Sequence, residues 1–474
     1  MNPEIIESVV SHWPTVHGLV VLLGLGIYVI GSHTLHQRRH PSAAIAWVVA
    51  LVLLPYLALP LYLIFGSRKV VHGRRTARPH QQAALDPGAS HPAARMQQLA
   101  AAMALPAARP YLHLNIHEDG KQALQVLRNM IDGATHTLDV CTFVFGRDGL
   151  GEEIATKLKQ RASEGVQVRL LVDGVGAYLG GHPEFGTLSA AGVQVAFFVP
   201  PLRSPLQGRT NLRNHRKMLI SDGEWLWSGG RNLASEYFSG DTRRTPAQMP
   251  WIDLSFDLQG ALAIQAQQQF DEDWQFATRG NRPSRPQQPV RDGASSAALG
   301  QLIASGPDQL DDTLYALLVS AFFGSRKRII AVTPYFVPDP MLLMSLTLAA
   351  RRGVRIDLLL PERSNHRLAD LARHRALREL VSAGAQVWFL PQMIHAKAIV
   401  IDDDLAFAGS ANLDQRSLFL NFELMLAFYD PADVTRFAQW IEAQRQTACP
   451  YRPHPPALWL EVVEGLFLWL AFQL

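Results

Sequence analysis

Cysteine is scarce in this 474-residue chain: Cys141 and Cys449 are the only two, and neither stands in a C-x-x-C or other metal-ligand spacing. A disulfide scaffold is excluded at that density, and the two thiols read as isolated small side chains. A dominant charge of one sign is missing as well. The 44 Lys and Arg against 41 Asp and Glu leave a net +3, so bulk charge gives no reason to expect a nucleic-acid binder. Positive charge is absent before Arg38, whereas Glu4 and Glu7 lie in that stretch. A secretory signal peptide, which needs a basic start, is thereby disfavoured. What the chain has in plenty is apolar residues, 48% of the total, and a length that calls for two or three domains.

Two apolar runs open the chain, at about 16–31 and about 43–65, the second without a charge. A bilayer core takes roughly 20 helical residues. The second run meets that length and the first falls short of it. As a close pair they are expected to form a transmembrane hairpin over residues 1–69 rather than buried core helices. Arg38 and Arg39 lie between the runs, and Arg68, Lys69, Arg74, Arg75 and Arg78 follow the second. The more basic flank favours the cytoplasm, which places the large C-terminal part and the N-terminus there. His33, His36 and His40 share the loop, but no carboxylate or cysteine completes a metal set, so they read as interfacial polar residues. Residues 70–110, rich in Ala, Pro, Gln, His and Arg, are expected to be a mobile tether with one short helix near 96–104.

The rest of the chain repeats itself once. In the first half a β-forming run at 138–145 is followed by a helical stretch at 150–164 and short apolar strands at 165–173 and 191–198. The second half has a run at 329–336, a helix at 341–352, and strands at 353–360 and 383–390. This alternation argues for an α/β fold: two α/β sandwich domains, 111–280 and 301–450, joined by a linker at 281–300 and followed by an apolar tail at 451–474. Strands this apolar suit burial on both faces.

One motif falls at the same place in each half. The first copy is His215-Arg-Lys217, Asp222, Gly229-Gly-Arg-Asn232; the second is His395-Ala-Lys397, Asp402, Gly409-Ser-Ala-Asn412. Both obey H-x-K-x4-D-x6-G-[GS]-x-N, and two full copies embedded in a repeat are hard to reconcile with chance. His and Lys two apart on a strand point to one face. If the halves meet across a pseudo-twofold axis, two His, two Lys and two Asn share a pocket. One neutral His can then attack phosphorus and form a phosphohistidine, while the other protonates the leaving alcohol and deprotonates the incoming one. Lys217, Lys397, Asn232 and Asn412 can stabilise the phosphate oxygens, so no metal or other cofactor is required. Each His also needs a carboxylate to fix its tautomer. Glu423, on the next expected strand after the second motif, is one candidate, and Asp253 is its best first-half counterpart. Asp222 and Asp402 complete the motif as turn and strand-end anchors rather than proton carriers.

At these residues the chain resembles the phospholipase D superfamily and, more closely, bacterial cardiolipin synthases of the two-transmembrane type. The resemblance extends to Arg213-Asn-His-Arg-Lys217, Phe270-Asp-Glu-Asp-Trp274, the Thr333-Pro-Tyr-Phe336 segment and Asn421-Phe-Glu423. It implies two phospholipase D-like domains related by pseudo-twofold symmetry behind a hairpin in the bacterial inner membrane. It further implies that one phosphatidylglycerol is attacked by histidine, with His215 as the favoured nucleophile, and releases glycerol. A second phosphatidylglycerol then captures the phosphatidyl group to give cardiolipin. The implied partners are phosphatidylglycerol and anionic membrane lipids, not nucleic acid.

The sequence departs from that pattern at Arg231, where an apolar residue is usual, and in the Glu362-Arg-Ser-Asn-His366 segment, where a Ser-Asp pattern is expected. An insertion at 200–214 carries Arg203, Arg209 and Arg213 and can either grip anionic headgroups or form a solvated loop. The tail at 455–474 suits an interfacial helix or packing onto the catalytic core. Other readings of the same motif are a hydrolytic phospholipase D, a phosphatidyltransferase using another alcohol, a nuclease and a non-catalytic membrane scaffold.

Overall fold

The computed structural model describes residues 3–34, 41–66, 91–181, 183–200, 210–240, 249–279, 298–309, 311–455 and 464. The loop residues His36, Arg38, Arg39 and His40, the basic cluster at 68–78, Arg203 and Arg209, and the linker at 281–297 lie outside the described residues, as does the C-terminal tail from 456 apart from Glu464. The chain forms two compact units, 1–74 with 199–212, and 75–198 with 213–474.

In the first unit the two apolar runs exchange the roles expected of them. The first is one long helix, Pro3–Thr34, and its Thr15–Ser32 stretch is long and apolar enough to cross a membrane. The second is broken into Pro41–Leu53 and Pro55–Phe65. Pro55 has no N–H to continue the ladder, so the first helix ends and a second begins with proline in its first turn. The helices pack closely where glycine leaves room: a Cβ on Gly24 would stand 3.1 Å from the Leu51 side chain, and one on Gly31 would stand 3.2 Å from the Tyr62 hydroxyl.

The second unit holds the repeat. Its seven-stranded sheet runs, in spatial order, Leu112–Ile116, Ser255–Gln259, Trp225–Gly229, Met218–Ser221, Thr137–Thr142, Gln167–Asp173, Gln194–Phe198. The second sheet contains the same order: Leu299–Ser305, Asn421–Phe428, Leu405–Gly409, Ala398–Ile401, Arg328–Val332, Arg355–Pro361, Gln386–Leu390. In each, the last three strands are mutually parallel and the others pair antiparallel. Parallel strands need crossovers, which the helices Gly149–Ser163 and Pro340–Arg351 provide. Both helices start on an aspartate cap, Asp148 and Asp339. Both are followed by a glycine at positive φ, Gly165 at 91° and Gly353 at 89°, where a side chain would be strained.

The expected tether needs correction. Residues from 92 onward form the helix Pro92–Ala102 and then the strand Arg109–Pro110, which pairs with Leu299–Ser305 of the second sheet. The helix begins earlier than expected because His91 and Pro92 set its start, and it is held by burial of Met96 and Ala100 in the second core. Burial of a side chain such as Met contributes about 1.5–3 kcal/mol, enough to fix a short helix that is marginal alone. Leu299 and Gly300, expected in the linker, likewise already belong to a strand.

Asp222 and Asp402 anchor equivalent turns. Asp222 accepts the N–H groups of Thr135, His136 and Thr137, and Asp402 those of Arg326, Lys327 and Arg328. Each sits at φ 51°, a left-handed position that Asp tolerates better than most residues. They tie the motif strand to the start of its neighbour. Asp402→Ala strands three donors and is expected to cost about 1–3 kcal/mol. The readout is a lower melting temperature with turnover per folded molecule kept; lost turnover at an unchanged melting temperature would make Asp402 part of the chemistry instead.

Candidate active site

The site is built by exchange between the halves. The short strand Arg213–Asn214, just ahead of the first motif, pairs in parallel with Asn421 and Phe422 of the second sheet. Ile252 makes the corresponding parallel bridge to Ile394, just ahead of the second motif. His215 N–H then donates to the Phe422 carbonyl at 2.9 Å, and His395 N–H to the Ile252 carbonyl at 2.6 Å. The residue following each acceptor is a carboxylate. His215 Nδ1 therefore lies 3.0 Å from Glu423 Oε1, and His395 Nδ1 lies 2.7 Å from Asp253 Oδ2. Each of the two carboxylates picked out from the sequence therefore meets a histidine, and it is the histidine of the opposite half.

The two centres differ in detail. Glu423 is shared: Ser410 Oγ donates to it at 2.5 Å and Asn421 Nδ2 at 3.2 Å. Asp253 faces Gly230, where a Cβ would come within 2.2 Å of its Oδ1. The Gly and Ser at the second position of the glycine segment thus match the carboxylate each one meets. His215 is walled by Phe143, and His395 by Tyr237 and Trp251. Lys217 Nζ donates to the His215 carbonyl at 2.6 Å, and Lys397 Nζ stands 2.9 Å from His395 Nε2.

Burial governs the charge states. It pushes the His215 imidazole down to about 4, with Glu423 opposing, and His395 down to about 3, with Lys397 adding to the effect. Burial also lowers Lys217 to about 8 and Lys397 to about 7. For Glu423 and Asp253 burial works upward, but the histidine each one meets and the nearby lysines outweigh it, so both lie below the ordinary carboxylate range. At neutral pH the geometry presents two uncharged imidazoles held by two carboxylates.

The asparagines are placed by protein contacts. Asn232 Oδ1 accepts the Val144 N–H at 3.2 Å, and Asn412 Nδ2 donates to Ser417 Oγ at 3.1 Å. Arg231 is buried, donating to the Tyr237 carbonyl and to Ser255 Oγ, each at 3.0 Å.

Comparison with known proteins fits this arrangement. The family described as "Cardiolipin synthase, PLD-like domain" matches residues 127–274 and 318–445, and "Phospholipase_D-nuclease N-terminal" matches residues 22–67. The chain is 32% identical to cardiolipin synthase A of Pseudomonas aeruginosa (strain LESB58), over 91% of each chain. It is 32% identical to cardiolipin synthase A of Pseudomonas entomophila (strain L48), over 91% of this chain and 90% of that one. The chain belongs to the cardiolipin synthase family. Among solved structures, phosphatidylserine synthase of Haemophilus influenzae shares the fold, with a TM-score of 0.61 at 14% identity over 77% of this chain and 97% of that one.

In this cardiolipin synthase family member several site residues escape a reading of the motif alone. Arg216, the middle residue of the first His-x-Lys, is fully buried and paired with Asp273, and its Nε donates to the Glu423 carbonyl at 3.1 Å. Asp173 accepts the Asn214 N–H at 2.8 Å and so fixes the chain just ahead of His215. Two signals pointed there: the Phe270-Asp-Glu-Asp-Trp274 segment, which contains Asp273, and the change from Arg216 to Ala396 between motif copies. Tyr237 and Trp251 carried no such signal.

Both histidines have folded values below the ordinary 6.5, so the unfolded chain takes up protons first as pH falls. Stability from these groups is full above about 6.5 and is lost as pH drops toward about 4. His215→Asn or His395→Asn should flatten the fall in melting temperature between pH 7 and 4.5; unchanged slopes would rule out neutral histidines in the folded site.

Proposed function

We propose that the protein makes cardiolipin from two phosphatidylglycerol molecules. The crossed His–carboxylate pairs, with a lysine beside each, carry this reading. His215 Nε2 attacks the phosphorus of the first lipid. The bond to the glycerol oxygen breaks, and that oxygen leaves with a proton that His395, uncharged in the free enzyme, takes from water as the anionic lipid binds. The terminal hydroxyl of a second phosphatidylglycerol then gives its proton to His395 and attacks the phosphohistidine; the N–P bond breaks and His215 is restored. Asp253 gives His395 a short 2.7 Å contact, which suits the imidazolium of the acid, whereas Glu423 divides its charge among His215, Ser410 and Asn421. Lys217 and Lys397 balance charge on the phosphate oxygens, and Asn232 and Asn412 hold the segments beside them.

Expression in a cardiolipin-deficient bacterium is expected to restore cardiolipin, and His215→Ala or His395→Ala to lower its formation by roughly a thousandfold or more. Accumulation of phosphatidic acid without cardiolipin would overturn transfer in favour of hydrolysis.

We also propose that the N-terminal helices lie in the bacterial inner membrane with the α/β body in the cytoplasm, supported by the apolar Thr15–Ser32 stretch and the basic segment after the second run. Cys449 is exposed and Cys141 buried. A membrane-impermeant maleimide should leave Cys449 of intact spheroplasts unlabelled until the membrane is opened; earlier labelling would put the body outside.

A further inference from the structure

We propose that the outer face of the helix Pro340–Arg351, with the neighbouring helix Arg367–Ser382, lies on the surface of an anionic phospholipid bilayer; the proposal rests on the reading that sets the N-terminal helices in a membrane. Pro340–Arg351 carries no charge before its last residue, Arg351. Its inward residues Leu342, Leu346, Ala349 and Ala350 join the core of the second half. Its outward residues are apolar as well: Met341, Met344 and Leu348 are 51%, 47% and 37% exposed. At spacings of three and four they form one stripe along the helix. A contiguous apolar stripe left in water marks a contact surface.

The repeat supplies the comparison. The helix Gly149–Ser163 holds the same place in the first half. Counted from the caps Asp148 and Asp339, Glu153 stands where Met344 stands, and Lys157 where Leu348 stands. Glu153 pairs with Arg128 at 2.6 Å, and Lys157 with Asp132 at 2.7 Å. One half thus has a surface of ion pairs, as a helix facing water does, and the other has methionine and leucine in their stead. The fold does not demand an apolar stripe here, so the demand comes from what the second half faces.

The residues around the stripe select the occupant. Pro340–Arg351 and Arg367–Ser382 share one core and together carry five arginines against Asp370 and Glu379. Asp370 is tied to Arg373, whereas Arg351, Arg367 and Arg375 are exposed. An anionic bilayer suits both parts at once: acyl chains receive the Met and Leu side chains, and headgroup phosphates receive the arginines. The stripe also starts near the chemistry. Phe336 pairs with Leu413, the residue after Asn412, and Met341 follows five residues later. The contact therefore begins at the catalytic end of the second half.

The test uses the full-length protein with Cys449→Ser in phosphatidylglycerol vesicles; Cys141 is buried and stays unlabelled. An environment-sensitive fluorophore is placed on Met344→Cys, Leu348→Cys, Thr156→Cys or Leu23→Cys, one at a time. Lipid with a spin label on its acyl chain is expected to quench the label at 344 and at 348 by about half or more, and that at 156 far less. In phosphatidylcholine vesicles the quenching at 344 should fall severalfold; equal quenching would overturn the anionic requirement. Quenching at 344 and 348 no greater than at 156 would overturn the proposal. If those labels were also shielded from aqueous iodide, protein would cover the face instead, either a second copy or the C-terminal stretch, whose Glu464 pairs with Arg378. Leu23 lies in Thr15–Ser32 and separates the two failures. Lipid quenching at 23 without quenching at 344 and 348 defeats this proposal alone, whereas none at 23 would sink the membrane reading and this proposal with it.

Discussion

The structure depends on an exchange of backbone hydrogen bonds: each histidine donates its N–H to the residue before the other half's carboxylate. A strand rises about 3.3 Å per residue, so one bond of register decides whether the carboxylate meets the imidazole or misses it. Sheet order, the aspartate anchors at the motif ends and the Arg213–Asn214 strand all serve that register. Arg216 adds a side-chain tie in the same direction, bonding to the Glu423 carbonyl from the first half while paired with Asp273. Such a buried pair is weak evidence for stability; what it secures here is position.

Much of this was legible from residues alone. The period-two strands, the intervening helices and the doubled motif state the repeat directly, and the seven-strand order recurs as the repeat implies. Glu423 could be picked out because it lies on the strand expected after the second motif, and Asp253 as its first-half counterpart. Their crossing could not, since sequence spacing ranks a carboxylate by its own half and says nothing about which half faces it. The break within the apolar run at 43–65 was hidden for a different reason: hydropathy counts methylenes and ignores that Pro55 removes a donor. The segment from 92 to 110 misled because its composition is that of a linker, although Met96 and Ala100 find a core to fill. Aromatic walls such as Tyr237 and Trp251 are invisible to motif reading because any large ring serves the purpose and the spacing is set by tertiary structure.

Desolvation gives the site its chemical character. A surface histidine would be partly charged at neutral pH and a surface lysine fully so; here burial holds both imidazoles neutral and brings the lysines toward their titration range. The carboxylates beside the imidazoles stay ionised, so the centre joins neutral bases to fixed negative charge.

The two halves are copies, yet they sit in one chain, and that changes what mutation can do to them. In a symmetric pair of identical subunits every substitution appears on both sides of the axis at once. A tandem chain lets one side vary while the other stands still. Arg216 opposite Ala396, Gly230 opposite Ser410 and Arg416 opposite Glu236 are differences that only covalently joined, separately encoded copies can hold. The duplication gave the enzyme a left and a right hand, so that each side of the axis is free to diverge in sequence from the other.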